Sequence, residues 1–158
     1  MKTLDRRKEP FDLYRYQLRM LPGLLGWAAG SMAAGLVLLL SNTRFRQGIG
    51  LQFLAWGFID GLIALFGLRG AAANASRFRR GELTEVDLER QTKTFEEILW
   101  VNVFLDVGYV IFGRRMMRLA EPGSTRAGTG LGISVQGAFL FLWDLLLIFL
   151  MRSSRHGR

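Results

Sequence analysis

Long apolar blocks alternate with short basic ones along this chain. Charge-free runs extend from Met20 to Thr43, Gln47 to Ile59, Gly61 to Leu68, Ile98 to Leu105, Val107 to Gly113, Ala127 to Trp143 and Leu145 to Met151. Single aspartates divide several of these runs, and once those are bridged four stretches remain. A helix that crosses a bilayer needs roughly 20 apolar residues. Spans are therefore expected at about 21–40, 48–68, 97–113 and 131–151, giving an all-α integral membrane four-helix bundle. The third stretch is the short one. From Ile98 to Gly113 it covers roughly 24 Å at the helical rise, with Arg114 and Arg115 placed to snorkel at its end.

The segments between the spans are polar. Residues 1–19 mix charges with Phe11, Leu13, Tyr14 and Leu18, the pattern of an N-terminal amphipathic interfacial helix. Pro10 suits its first turn, and Pro22 is expected to kink the start of the first span. The long charged lead and apolar core, with no A-x-A site after them, read as a retained helix rather than a cleaved signal peptide. Residues 20–152 hold the four spans, and 153–158 form a basic tail. A short loop is expected at 41–47. In the polar connection 69–95, Thr84 with Asp87 predicts a capped helix starting near Glu85. The 114–130 segment, with Pro122 and several glycines, reads as a mobile loop.

Composition narrows the chemistry. The 158 residues suffice for one domain, and a mean hydropathy of +0.20 averages two unlike kinds of block. There is no cysteine, and the single histidine is His156. Disulfides and thiolate chemistry are excluded, and neither haem, structural zinc nor any other cofactor is expected. The net charge of +8 comes from basic residues that flank apolar stretches. That is membrane anchoring rather than nucleic-acid binding. Fifteen Lys and Arg fall in 1–19, 69–95 and 152–158, against six in 41–47 and 114–130. The positive-inside rule then puts both termini and the long connection in the cytoplasm.

An internal echo runs through the second and fourth stretches. Gly48-Ile49-Gly50-Leu51-Gln52 leads to Asp60, and Gly132-Ile133-Ser134-Val135-Gln136 leads to Asp144. Both fit G-I-x-[LV]-Q-x7-D. As a duplication, this makes two tandem helical hairpins in a parallel repeat, with Asp60 and Asp144 at one depth. Chance matches in apolar sequence give the same echo without any duplication.

Asp60, Asp106 and Asp144 each interrupt a different span, with no Lys, Arg or His inside any span. A charge there costs roughly 2.5–3.5 kcal/mol on insertion scales. Helical spacing puts Gln52, Trp56 and Asp60 on one stripe, and Asn102, Asp106 and Tyr109 on another. Gln136 and Trp143 share a face in the fourth span, with Asp144 at its edge. All three acids should face the interior. One outcome is a hydrogen-bonded polar core that holds the helices together. The other is a binding site for a proton, a metal cation or an organic cation, with carboxyls and amides walled by Trp56, Trp100, Trp143 and Tyr109. No nucleophile–base pair or phosphate loop supports catalysis. Glu96 and Glu97 read as the interfacial end of the third helix.

The motif order resembles a family of short four-span bacterial membrane proteins with no assigned function. The likeness covers most of 13–151. It rests on Gly26-Trp27-Ala28, Trp56 with Ile63-Ala64, Asn102-x-x-Leu105-Asp106-x-Gly108-Tyr109, and Gln136-Gly137-x-Phe139-Leu140-Phe141-x-x-Asp144. It implies four spans in a bacterial cytoplasmic (inner) membrane and adds no activity. That family often has an amide at the position of Asp60, which implies that Asp60 need not be charged. The resulting expectation is a non-enzymatic scaffold or accessory subunit, with a membrane protein partner and a homo-oligomer both open. The alternative is cation, proton or small-ligand binding or transport at the carboxylate cluster.

Overall fold

In the computed structural model, which describes residues 11–156, four helices follow one another: α1 (Leu13–Leu39), α2 (Arg44–Arg79), α3 (Glu85–Leu119) and α4 (Thr125–His156). No strand occurs among the described residues. α1, α2 and α4 are long and apolar enough to cross a membrane. α3 is as long, but charged residues crowd both of its ends. The outer surface is apolar over most of its extent: Val37, Phe58, Phe66, Phe104, Ile111 and Phe149 are all more than half exposed. In water such a face would drive association; against lipid it costs nothing.

The connections are shorter than the sequence pattern suggests. α2 ends in a turn where Gly81, at φ 75°, lets its own N–H reach the Phe78 carbonyl and the Glu82 N–H reach that of Arg77. Three residues later α3 begins where expected. Thr84 Oγ1 accepts from the Asp87 N–H, and Asp87 accepts from the Thr84 N–H. These bonds to Thr84, its backbone N–H first, hold the Asp87 carboxyl below its usual range. A depressed carboxyl supports the folded state above its unfolded value, about 3.9, and loses that support as pH falls through the folded value. Thr84→Ala should lower stability by about 1 kcal/mol at neutral pH, read from thermal unfolding, with the deficit shrinking in acid.

The expected 114–130 loop is the clearest correction. Only 120–124 is non-helical. Pro122 and Gly123 (φ 77°) form the corners of a tight turn closed by the Ser124 N–H on the Glu121 carbonyl, and Ser124 Oγ then caps α4 through the Ala127 N–H. The loop at 41–47 likewise shrinks, since α2 starts at Arg44. At the N-terminus, the expected interfacial segment is continuous with the first span from Leu13 onward, and Pro22 sits inside α1. Residues 1–10, with Pro10, and 157–158 lie outside the described residues.

Packing forms two antiparallel hairpins, α1–α2 and α3–α4, joined where α2 runs parallel to α4. Glycines set each contact. Gly35 and Gly50 face each other across α1–α2, and Gly113 faces Gly130 across α3–α4. At one end α2 and α4 touch backbone to backbone: Gly48 against Thr125 and Thr129, Gly128 against Phe45. Towards the other end aromatic and aliphatic side chains fill the bundle. Tyr16, Leu99, Val103, Leu147 and Met151 form one cluster, and Leu13, Tyr14 and Leu88 another. The Tyr16 hydroxyl donates to the Leu147 carbonyl at 2.6 Å, tying α1 to α4. Glu96, read from sequence as the interfacial end of the third helix, accepts from Arg152 at 2.7 Å and Arg155 at 3.3 Å and so clasps α3 to α4.

α2 and α4 run parallel, as a tandem repeat requires, with Gly128 against Phe45, Gly132 against Ile49 and Gln52, and Gly48 against Thr125 and Thr129.

Candidate functional site

Where α2 and α4 part, a cavity of about 240 Å³ lies between the helices. α2 contributes Trp56 and Asp60. α3 contributes Asn102, Asp106 and Tyr109, and α4 contributes Trp143 and Asp144. Helical spacing explains the grouping. Asn102, Asp106 and Tyr109 are one stripe, as are Trp56 and Asp60, and each stripe faces the same space. Asp60 is 1% exposed, Asp106 3% and Asp144 7%. The three carboxyls lie close enough to interact through the field, and Asn102 faces Asp144. None of the cavity's lining residues is Lys, Arg or His.

Two expected members sit elsewhere. Gln136 is wholly buried, but it bridges α4 to α1: its Oε1 accepts from Trp27 Nε1 at 3.0 Å, and its Nε2 donates to Ser31 Oγ at 3.2 Å. Above that bridge the Trp27 and Phe139 rings stack at 3.6 Å. Gln52 lies one turn before Trp56, where α2 still touches α4, with its methylenes against Gly132. Helical periodicity assigns a side chain to a face. It does not tell where along that face the neighbouring helix departs. Trp100, offered as a further aromatic face, instead lies under the Arg152 guanidinium.

The remaining walls were not legible in the sequence. Leu21 and Leu24 of α1, Leu99 of α3 and Leu140 and Leu147 of α4 close the cavity. They resemble every other leucine in the chain, and only the packing distinguishes them. Gly23 is more telling, because its missing side chain is what lets the Trp143 indole lie on α1.

The polar atoms around the cavity are incompletely paired. Asp60 Oδ2, Asp106 Oδ2 and Trp143 Nε1 are buried without a hydrogen-bond partner. Buried polar groups are nearly always paired, so three orphans around one space point to a missing partner there. A divalent metal is a poor candidate. Its ligand oxygens must converge on one point at 2.0–2.6 Å, and among the described residues no three His, Cys, Asp or Glu side chains are placed to hold a metal ion. Two of the lining rings, Trp56 and Tyr109, meet edge to face at 5.1 Å.

No curated protein and no solved structure matches the chain. A sequence model of a family of unknown function, DUF6992, matches residues 23–145, from within α1 to just beyond Asp144.

Proposed function

We propose that this chain, which belongs to the DUF6992 family of unknown function, is a polytopic membrane protein that binds a small cation in an intramembrane carboxylate cavity. In this reading all four helices cross a bacterial cytoplasmic membrane. The charged ends of α3 lie at the two interfaces, and both termini and the 80–84 turn face the cytoplasm. The observation that carries it is the pairing state of the acids. A structural polar core would spend its carboxyls on hydrogen bonds, as Gln136 spends its amide. Asp60 and Asp106 instead leave Oδ2 unpaired at a cavity whose lining carries no cationic side chain.

Thermal stability of the purified protein across pH and a panel of cations tests this. Wild type should be stabilised by one class of cation, by about 2.7 kcal/mol at a hundred times its Kd. The gain should grow as pH rises, because the cation replaces protons. The groups facing one another there are Asp60, Asp106, Asp144 and Tyr109, and α1 contributes none. Asp106→Asn and Asp60→Asn should remove the response. Identical melting of wild type and variants under every condition would return the acids to a purely structural role.

A scaffold or accessory role has its own support. Gly26 and Gly30 of α1 have nothing within 4 Å of where a side chain would begin, and so offer a close-packing face to a partner helix. Co-purification of one stoichiometric membrane protein, lost in Gly30→Leu, would favour it.

A further inference from the structure

We infer that the occupant of the cavity is an organic monocation with an apolar tail, an alkylammonium in chemical class, and that it reaches the carboxyls sideways from the bilayer between α2 and α3. The inference rests on the reading of the cavity as a binding site and adds to it the ligand class and the route. The head follows from charge and shape. Three carboxyls, two with unpaired oxygens, share the cavity with aromatic rings, no cationic side chain lines it, and among the described residues no acids converge as metal ligands. An ammonium is a cation that such walls solvate well, because ring faces attract it within about 6 Å.

The tail follows from the seam. Ile63, Ile98 and Leu105 line the cavity, yet they are 55%, 51% and 52% exposed, so the cavity comes to the surface beside them. α2 and α3 meet at Trp56–Tyr109 on one side of it and at Asn74–Gln91, 3.5 Å apart, on the other. The seam between spans about 18 residues of α2, roughly 27 Å. Within it Gly67, Gly70 and Ala71 leave room for a second cavity of about 500 Å³, lined further out by Gln17, Asn74 and Arg90. The two cavities share Phe95 and Ile98 as their partition. An amphiphile resting at headgroup level would meet the polar outer cavity first. Its ammonium would pass Phe95 and Ile98 to reach Asp60 and Asp106, with the tail left in the apolar seam.

The test is isothermal titration of the full chain in lipid nanodiscs with methyl-, butyl-, hexyl- and octylammonium, and with sodium. Empty nanodiscs supply the partitioning background. Saturable binding should strengthen by roughly fourfold per methylene in aqueous concentration. It should be lost in Asp106→Asn. Ile98→Phe and Ile63→Phe, which add bulk at these exposed positions, should cut the preference for octyl- over methylammonium about tenfold. Ile63→Ala, which removes bulk, should speed octylammonium binding. If sodium or methylammonium binds as well as octylammonium and the seam variants match wild type, the tail and the route are wrong while the binding cavity stands. If no cation binds and Asp106→Asn behaves as wild type, the cavity reading falls with them.

Discussion

Gly128→Ala should cost on the order of 3 kcal/mol or more in stability, although it replaces glycine by the best helix former. Intrinsic propensity favours alanine in a helix by about 1 kcal/mol. At Gly128 that gain is overwhelmed, because a methyl group there would overlap the backbone carbonyl of Phe45. A backbone cannot rotate aside as a side chain can, so α2 and α4 must part, and overpacking of this kind is among the costlier core changes. Gly48→Ala should behave alike, since its methyl would strike the Thr125 carbonyl. Gly26→Ala is the control. Nothing lies within 4 Å of it, so it should gain up to about 1 kcal/mol. Thermal unfolding followed by far-UV circular dichroism in detergent separates the cases by sign. Equal stability of Gly128→Ala and Gly26→Ala would mean that α2 and α4 are not in backbone contact.

The same glycines mark the limit of what the chain's pattern conveys. Gly128 and Gly130, close to Pro122, read naturally as loop residues, because glycine is costly in an isolated helix, and Gly132 reads as the start of the fourth span. In a bundle the cost is offset when the missing side chain lets two backbones approach, and all three serve contacts with α2 or α3. Capping is more transparent: Thr84 and Asp87 start α3 through bonds within four residues of chain, so sequence alone suffices. Long-range partners are opaque for the opposite reason. The stripe Gln52–Trp56–Asp60 identifies a buried face of α2, yet it leaves a close packing contact at Gln52 and enters a cavity at Asp60. What changes between them is the separation of α2 from α4, which no local spacing encodes. The aspartates were legible because their cost in an apolar span admits few locations. The seam between α2 and α3 was not, because Ile63 and Ile98 are ordinary apolar residues until the fold places them where a cavity comes to the surface.

Gln136→Leu should separate the polar groups that hold the bundle from those that face the cavity. Leucine fills a comparable volume but makes neither bond, so Trp27 Nε1–H and Ser31 Oγ lose their partner across the α1–α4 contact. An unpaired buried donor costs about 1–3 kcal/mol. In membranes single polar contacts average about 0.6 and reach about 1.7 kcal/mol, because the unfolded chain also finds partners. With two bonds removed, a loss of about 2 kcal/mol is expected. Trp27→Phe removes one of the same bonds while keeping a ring against Phe139, so the double variant should cost less than the sum of the singles. The cation response is the discriminating readout. Gln136 does not line the cavity, so Gln136→Leu should melt earlier than wild type yet gain as much from the stabilising cation. Asp106→Asn should show the reverse, a near-normal melting point and no gain. If Gln136→Leu loses the response while retaining its fold, the bridge and the cavity act as one unit, and the division of polar residues between them is wrong.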